Sequence, residues 1–166
     1  MKLTTPSTKY KHSYLEAISE PESKTRVVPP PRPIYGESFD DFVKSRTNLS
    51  IAQNFTDRVP MTEFWLVDDD VFIGRTSIFH YLNSHLLEII GHVGYWIRPT
   101  KRKMGYGKKI LELALIEARK MGIKDVLVTC DVDNLASKKV IEANGGKLEN
   151  IVPNGENPLK MRYWIT

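Results

Sequence analysis

Apolar positions recur along this chain in two rhythms, and the switches between them mark out its elements. Over residues 108–121, Ile110, Leu111, Ala114, Leu115 and Ala118 fall on one face with charged residues around them. That is the period of an amphipathic helix, closed here by Gly122. Residues 62–67 alternate instead about Trp65, and residues 71–82 answer them across Asp68-Asp69-Asp70, which predicts an antiparallel hairpin. After a turn at Asn83-Ser84-His85, residues 88–98 read as the third strand of a meander. Residues 126–130 are short, apolar and β-branched, the pattern of a buried strand parallel to the one before the helix. Asp133 or Asn134 opens a second helix over 135–144, ended by Gly145-Gly146. Residues 147–152 and 159–165 predict a closing hairpin about Pro153-Asn154-Gly155.

Upstream of the strands the pattern is helical. Tyr14, Leu15, Ala17 and Ile18 predict a helix over 10–20, stopped by Pro21. Residues 21–36 hold five of the ten prolines and read as a surface loop. Ser38 caps a second helix expected to run from Phe39 to about Ala52, with Phe42, Val43 and Leu49 inward.

Composition narrows the class. With 166 residues, 41% hydrophobic and 27% charged, the chain suits one globular domain with a real core. No apolar run approaches the roughly 18 residues of a membrane span. The polar N-terminus and the single cysteine, Cys130, favour a cytoplasmic location and exclude an internal disulfide or a cysteine-based metal cluster. The net charge of +4 is not spread out: six basic side chains and no acid lie in 98–109. Such clustering points to a local anion site rather than to nucleic acid. The three adjacent aspartates read as a solvated hairpin tip, and no metal site is expected.

The basic stretch leads into Gly105-Tyr106-Gly107 at the mouth of the helix, where unpaired N–H groups and the helix dipole favour a phosphorylated ligand. A Walker loop requires Gly-Lys-Ser/Thr, and Gly107-Lys108-Lys109 lacks the hydroxyl. The dinucleotide fingerprint would need a third glycine where Ile110 stands, so a dinucleotide oxidoreductase is the weaker reading. The six residues from Arg102 through Lys103 and Met104 to Gly107 match R/Q-x-x-G-x-G/A, the acetyl-coenzyme A loop of the GNAT acyltransferases. Asn134, Leu135-Ala136-Ser137 and Gly145-Gly146 resemble that family's second signature. The resemblance covers about residues 61–166 and is nearest to bacterial members with only a general acetyltransferase assignment.

The resemblance implies an α/β GNAT fold. Its mixed central sheet of about six to seven strands is antiparallel in the N-terminal part and flanked by helices. Residues 1–60 would be a helical and loop portion of the one domain, and 61–166 the acetyl-CoA-binding core. It implies an N-acetyltransferase that passes the acetyl group of acetyl-CoA to an amine on a small molecule or peptide by direct attack; a non-catalytic acetyl-CoA sensor stays open. The loop from Arg102 to Lys108, including Lys103, Met104, Gly105, Tyr106 and Gly107, would hold the pyrophosphate. The backbone at Trp96, Ile97 and Arg98, with Asn134 and Ser137, would hold the pantetheine arm. Asn134 also reads as a plain N-cap. Many members carry a tyrosine acid seven residues after the asparagine, where this chain has Ile141. Tyr106, Tyr95 and Tyr163 are the substitutes on hand, and His92 or Glu63 the candidate bases. His92 also reads as an ordinary strand residue, and Cys130 as a small buried hydrophobe. A homodimer is a further expectation from relatives.

Overall fold

The computed structural model describes residues 1–22, 28–50 and 59–166. Helix α1 (Lys11–Ser19) and helix α2 (Phe39–Thr47) form where the periodicity places them. At the start of α2 the Ser38 hydroxyl accepts from Asp41 N at 3.1 Å, and Asp40 and Asp41 sit on the positive end of the dipole. This helix ends at Thr47, short of the expected limit; Ala52 lies outside the described residues.

Strands β1 (Lys2–Thr4), β2 (Met61–Asp68), β3 (Val71–Phe79) and β4 (Val93–Ile97) form one antiparallel sheet in that order. The unpredicted β1 is too short to show an alternation and exists because Leu3 pairs with Leu66. The β2–β3 turn carries Asp69 at φ 44° and Asp70 at φ 63°, the left-handed pair that a tight two-residue hairpin needs. Its acids are occupied: Asp68 meets the N-terminal amine at 2.8 Å and Asp70 meets Lys9 at 2.6 Å.

Helix α3 (Tyr106–Lys120) leads to β5 (Val126–Asp131), and helix α4 (Leu135–Glu142) to the hairpin of β6 (Lys147–Asn154) and β7 (Asn157–Ile165). These last strands make a second sheet ordered β5-β7-β6. Helices α1 and α2 cover one face of the first sheet with an aromatic cluster in which Tyr14 stacks on Trp65 at 4.5 Å, beside Phe42, Phe72 and Trp96. The apolar stripe of α3 covers the other face and continues onto β5 and β7. Each such buried side chain contributes about 1.5–3 kcal/mol of transfer free energy, so both helix layers are fixed to the sheet by their apolar faces. Among the described residues no helix is long and apolar enough to cross a membrane.

The junction of the two sheets departs from expectation in two ways. Residues 88–92 are not strand; Leu86–Ile90 wind into a π-turn, begun by Asn83 Oδ1 accepting from Leu86 N at 2.9 Å and closed by Gly91 N donating to Leu86 O at 2.7 Å. The apolar run alone looks like strand, and the Asn83 cap decides otherwise. Secondly, residues 126–130 make no parallel ladder with β4. Every ladder between named strands is antiparallel, and the sheets meet through one antiparallel bridge, Gly91 to Val128. Gly91 has φ 81°, and a Cβ there would lie 2.6 Å from Leu127 O, so only glycine permits this approach. His92 N donates to Leu127 O at 2.7 Å, and Thr129 Oγ1 donates to Ile89 O at 2.8 Å. Past this vertex β4 has no strand on its second edge among the described residues.

Candidate functional site

The open edge of β4 and the loop that follows it form one continuous region. After Ile97 a 3₁₀ turn, Pro99–Lys101, carries the chain to the mouth of α3. Within this turn Lys101 N donates to Arg98 O, and Arg102 N to Pro99 O. The next backbone donor is Lys109 N, to Gly105 O at 3.2 Å. Among the described residues the N–H groups of 103–108 donate to nothing. Gly105, at φ 85°, has no side chain with which to cap them, and a Cβ there would meet open space. Lys103 is held at φ 62°, a conformation that costs a non-glycine residue about 1 kcal/mol. A row of unpaired N–H groups at the positive end of a 15-residue helix forms a cradle whose polarity suits an anion.

Charge around the cradle is divided. Arg98 is buried and faces back onto α1, with Nη2 at 3.0 Å from Glu16 and Nε bonded to Glu20. Burial alone would lower its pKa, but the two carboxylates outweigh that and hold it raised. Glu20 also accepts from Thr100 N and from Thr100 Oγ1, each at 3.0 Å. Its carboxyl lies below the ordinary range because these bonds and Arg98 overcome the opposing effect of burial. Arg102 donates Nε to Ile97 O at 3.0 Å and Nη2 to both oxygens of Glu22 at 2.9 and 2.8 Å. Glu22 also accepts from Trp96 Nε1 at 2.6 Å. Glu16, Glu20 and Glu22 thus strap the N-terminal segment to the loop. Their close spacing around Pro21 was the only local sign of this, and sequence reading passed over it. Lys101, Lys103 and Lys108 enter no ion pair among the described residues.

The register of β3 against β4 decides which backbone groups of β4 are available. Phe79 N donates to His92 O and Arg98 N to Ile73 O, so the even-numbered residues bond towards β3. Val93, Tyr95 and Ile97 turn their peptide groups to the open edge, where Ile97 O is taken by Arg102. Of the expected trio, Ile97 therefore faces the gap while Trp96 and Arg98 face β3. Tyr95 joins the open edge in their stead.

The Tyr95 side chain crosses towards β5 and α4, packing against both α3-side clusters. Its hydroxyl is buried without a hydrogen-bond partner of good geometry. Burial pushes this phenol up to about 12, with nearby Ser137 acting slightly the other way. Asn134 caps α4 by accepting from Ser137 N at 3.1 Å, which leaves its amide N–H groups for another acceptor. Ile141 is fully buried in the core. Cys130 is buried, its thiol pushed up to about 11 chiefly by desolvation.

The other proton-transfer candidates lie apart. His92 is buried at the vertex and Nδ1 accepts from Leu127 N at 2.9 Å, so its ring proton sits on Nε2. Burial lowers its pKa and keeps it neutral. Glu63 is buried on the α2 face, with Oε2 accepting from Arg46 Nη2 at 2.6 Å and Nε at 3.2 Å, and Oε1 from Trp65 Nε1 at 3.0 Å. Tyr106 sends its hydroxyl away from the gap to Asp68 at 3.4 Å, and burial, aided by that carboxylate, pushes its phenol up. Tyr163 is buried, its hydroxyl on Met161 Sδ at 3.4 Å.

Residues 2–147 match the acetyltransferase (GNAT) domain family. No curated protein sequence matches the chain significantly. Among solved structures, a candidate ribosomal-protein-serine acetyltransferase of Vibrio cholerae superposes with a TM-score of 0.67 at 17% identity, covering 98% of this chain and 91% of its own. A variant of the Vibrio cholerae spermidine N-acetyltransferase SpeG gives 0.64 at 16%, covering 99% and 94%. The microcin C7 self-immunity acetyltransferase MccE, solved with acetyl-CoA and AMP, gives 0.62 at 14%, covering 98% and 90%. At these identities the likeness is one of fold.

Proposed function

Because this chain belongs to the GNAT acetyltransferase family, we propose that it is an N-acetyltransferase in which an amine attacks acetyl-CoA directly. The observation that carries the reading is the run of undonated N–H groups over 103–108, continuous with the open edge of β4. Backbone from Arg102 to Lys108, with Gly105 and Gly107 admitting close approach, would cradle the pyrophosphate. Lys101, Lys103 and Lys108 would add charge, and Arg102 would do so from its anchor on Glu22. Tyr95 and Val93 would pair with the pantetheine amides, joined by Asn134 and Ser137 from α4. When bound, acetyl-CoA supplies the electrophilic thioester carbonyl and a thiol leaving group.

We assign the acid to Tyr95 rather than to Tyr106. The Tyr95 hydroxyl keeps its proton at neutral pH and is buried beside Ser137 without a well-formed hydrogen bond, whereas the Tyr106 hydroxyl is committed to Asp68. Neither Glu63 nor His92 offers a free basic atom, so the ammonium proton is assigned to solvent before the amine enters. The buried Ile141, where relatives carry a tyrosine, is what favours the second reading, an acetyl-CoA sensor without turnover.

Thermal unfolding with acetyl-CoA and with CoA tests the cofactor half. A ligand at a hundred times its Kd stabilises the native state by about 2.7 kcal/mol. A rise with both ligands, lost in Gly105→Glu, is expected, and no rise with either refutes the proposal. Free thiol release dependent on an added amine separates the enzyme from the sensor.

A further inference from the structure

The α2 face of the first sheet carries a polar group of side chains that the cofactor site does not use. Glu63 and Trp65 of β2, Arg75 and Ser77 of β3, and Gly94 of β4 point the same way, because Glu63 pairs with Ser77 and Ser77 with Gly94. Arg46 reaches in from α2. Gly94 is exposed and a Cβ there would touch nothing within 4 Å, so the group opens to solvent over β4. Gly94 precedes Tyr95 on β4, so the group lies across the sheet from the Tyr95 side chain and meets the same strand edge from the α2 side.

Among the described residues its charge is unbalanced. Two guanidiniums, Arg46 and Arg75, each 16% exposed, share one fully buried carboxylate. Arg46 takes that carboxylate at 2.6 Å, whereas Arg75 stands 3.7 Å from it. Arg75 donates Nη1 to Ser77 Oγ at 3.0 Å, and its Nε is buried with no partner. A mostly buried guanidinium with an unpartnered N–H and only a distant share of a carboxylate costs free energy until an acceptor takes that donor. A polyamine would add positive charge here. Its opposite, a planar carboxylate, suits the fork geometry of arginine.

Building on the acetyltransferase reading, we infer that the acceptor is an amine that also carries a carboxylate, and that Arg75, backed by Arg46, receives that carboxylate on the α2 face beside Gly94. The class comprises free amino acids and peptides with an acidic side chain at or next to their N-terminus.

Binding to the CoA-loaded full chain tests this without requiring turnover. Aspartate, a Ser-Asp-Asp peptide, a Ser-Gly-Gly amide and spermidine are titrated by calorimetry. Expected is binding of aspartate or the acidic peptide at least tenfold tighter than the amide and spermidine, and whichever acid binds identifies the source. In Arg75→Gln that preference should fall at least tenfold while the CoA affinity stays. Spermidine or the amide binding as well as the acids, no binding by any of them, or an undiminished preference in Arg75→Gln each overturns the inference. If Arg75→Gln does not fold, Arg75→Lys and the preference of the unaltered protein carry the test. Loss of CoA binding in the unaltered protein would instead strike the cofactor reading, so the two failures are distinct.

Discussion

Replacing Tyr95 by Phe removes one hydroxyl and keeps the ring that packs against α3 and β5. Were that hydroxyl an ordinary structural group, its loss would cost about 1 kcal/mol of folding stability. It is buried and lacks a well-formed hydrogen bond in the free protein, so its desolvation is already uncompensated. Tyr95→Phe is therefore expected to leave stability unchanged or raise it by up to about 1 kcal/mol, a Tm increase of no more than about 2–4 °C for a chain of this size. The rate should move the other way. Removing a general acid lowers kcat by about 10²–10⁴, or about 3–5 kcal/mol of barrier. Since the open edge of β4 acts through its backbone, the acetyl-CoA KM should hold. The assay is thiol release at saturating acetyl-CoA with an amine that the parent turns over, alongside thermal unfolding of both proteins. In the parent, a phenol near 12 predicts no alkaline loss of rate from Tyr95 below about pH 10. A variant with parental kcat, or one whose Tm falls by several degrees, would refute the assignment.

Three further outcomes follow from the same geometry. Gly91→Ala forces φ 81° on a residue with a Cβ and drives that atom to 2.6 Å from Leu127 O, so stability should fall by at least about 1–2 kcal/mol in chemical denaturation. Glu63→Gln leaves Arg46 and Arg75 without their carboxylate and should cost about 3 kcal/mol, a Tm drop of roughly 6–12 °C, with the CoA-induced shift retained. The unfolded histidine, with its ordinary value of 6.5, binds a proton that buried His92 resists, so the stability from neutral His92 is full above pH 6.5 and lost as the pH falls below it. Denaturation midpoints from pH 7.5 to 5 should show that decline, and His92→Asn should flatten it.

Much of the fold was legible because it rests on local pattern. The stripe on α3, the alternation about Trp65, the caps at Ser38 and Asn134 and the glycine after α3 each speak within a few residues, and each element formed where they indicate. The loop over 102–107 was legible for the same reason, since its glycines and basic residues are contiguous. Where reading failed, a distant partner decided. Residues 86–90 have the composition of a strand, but the Asn83 cap and the contact of Gly91 with Leu127 turn them into a π-turn. Arg98 counted towards the basic cluster and Arg102 towards the phosphate loop, and carboxylates near residue 20 hold both side chains. Glu63 and His92 looked like bases, and Glu63 Oε2 and His92 Nδ1 are occupied by groups remote in the chain, with Trp65 taking Glu63 Oε1.

Chain pattern alone, then, was enough for the helices, most strands and the place of the basic glycine loop before α3, because propensity and periodicity act over a few residues. Only the tertiary structure could decide that β4 opens beyond Gly91, that Tyr95 rather than Trp96 faces the opening, and that Arg75 lacks a full partner. Strand register, burial and ion pairing depend on which distant segments meet, and those meetings leave no mark on local pattern.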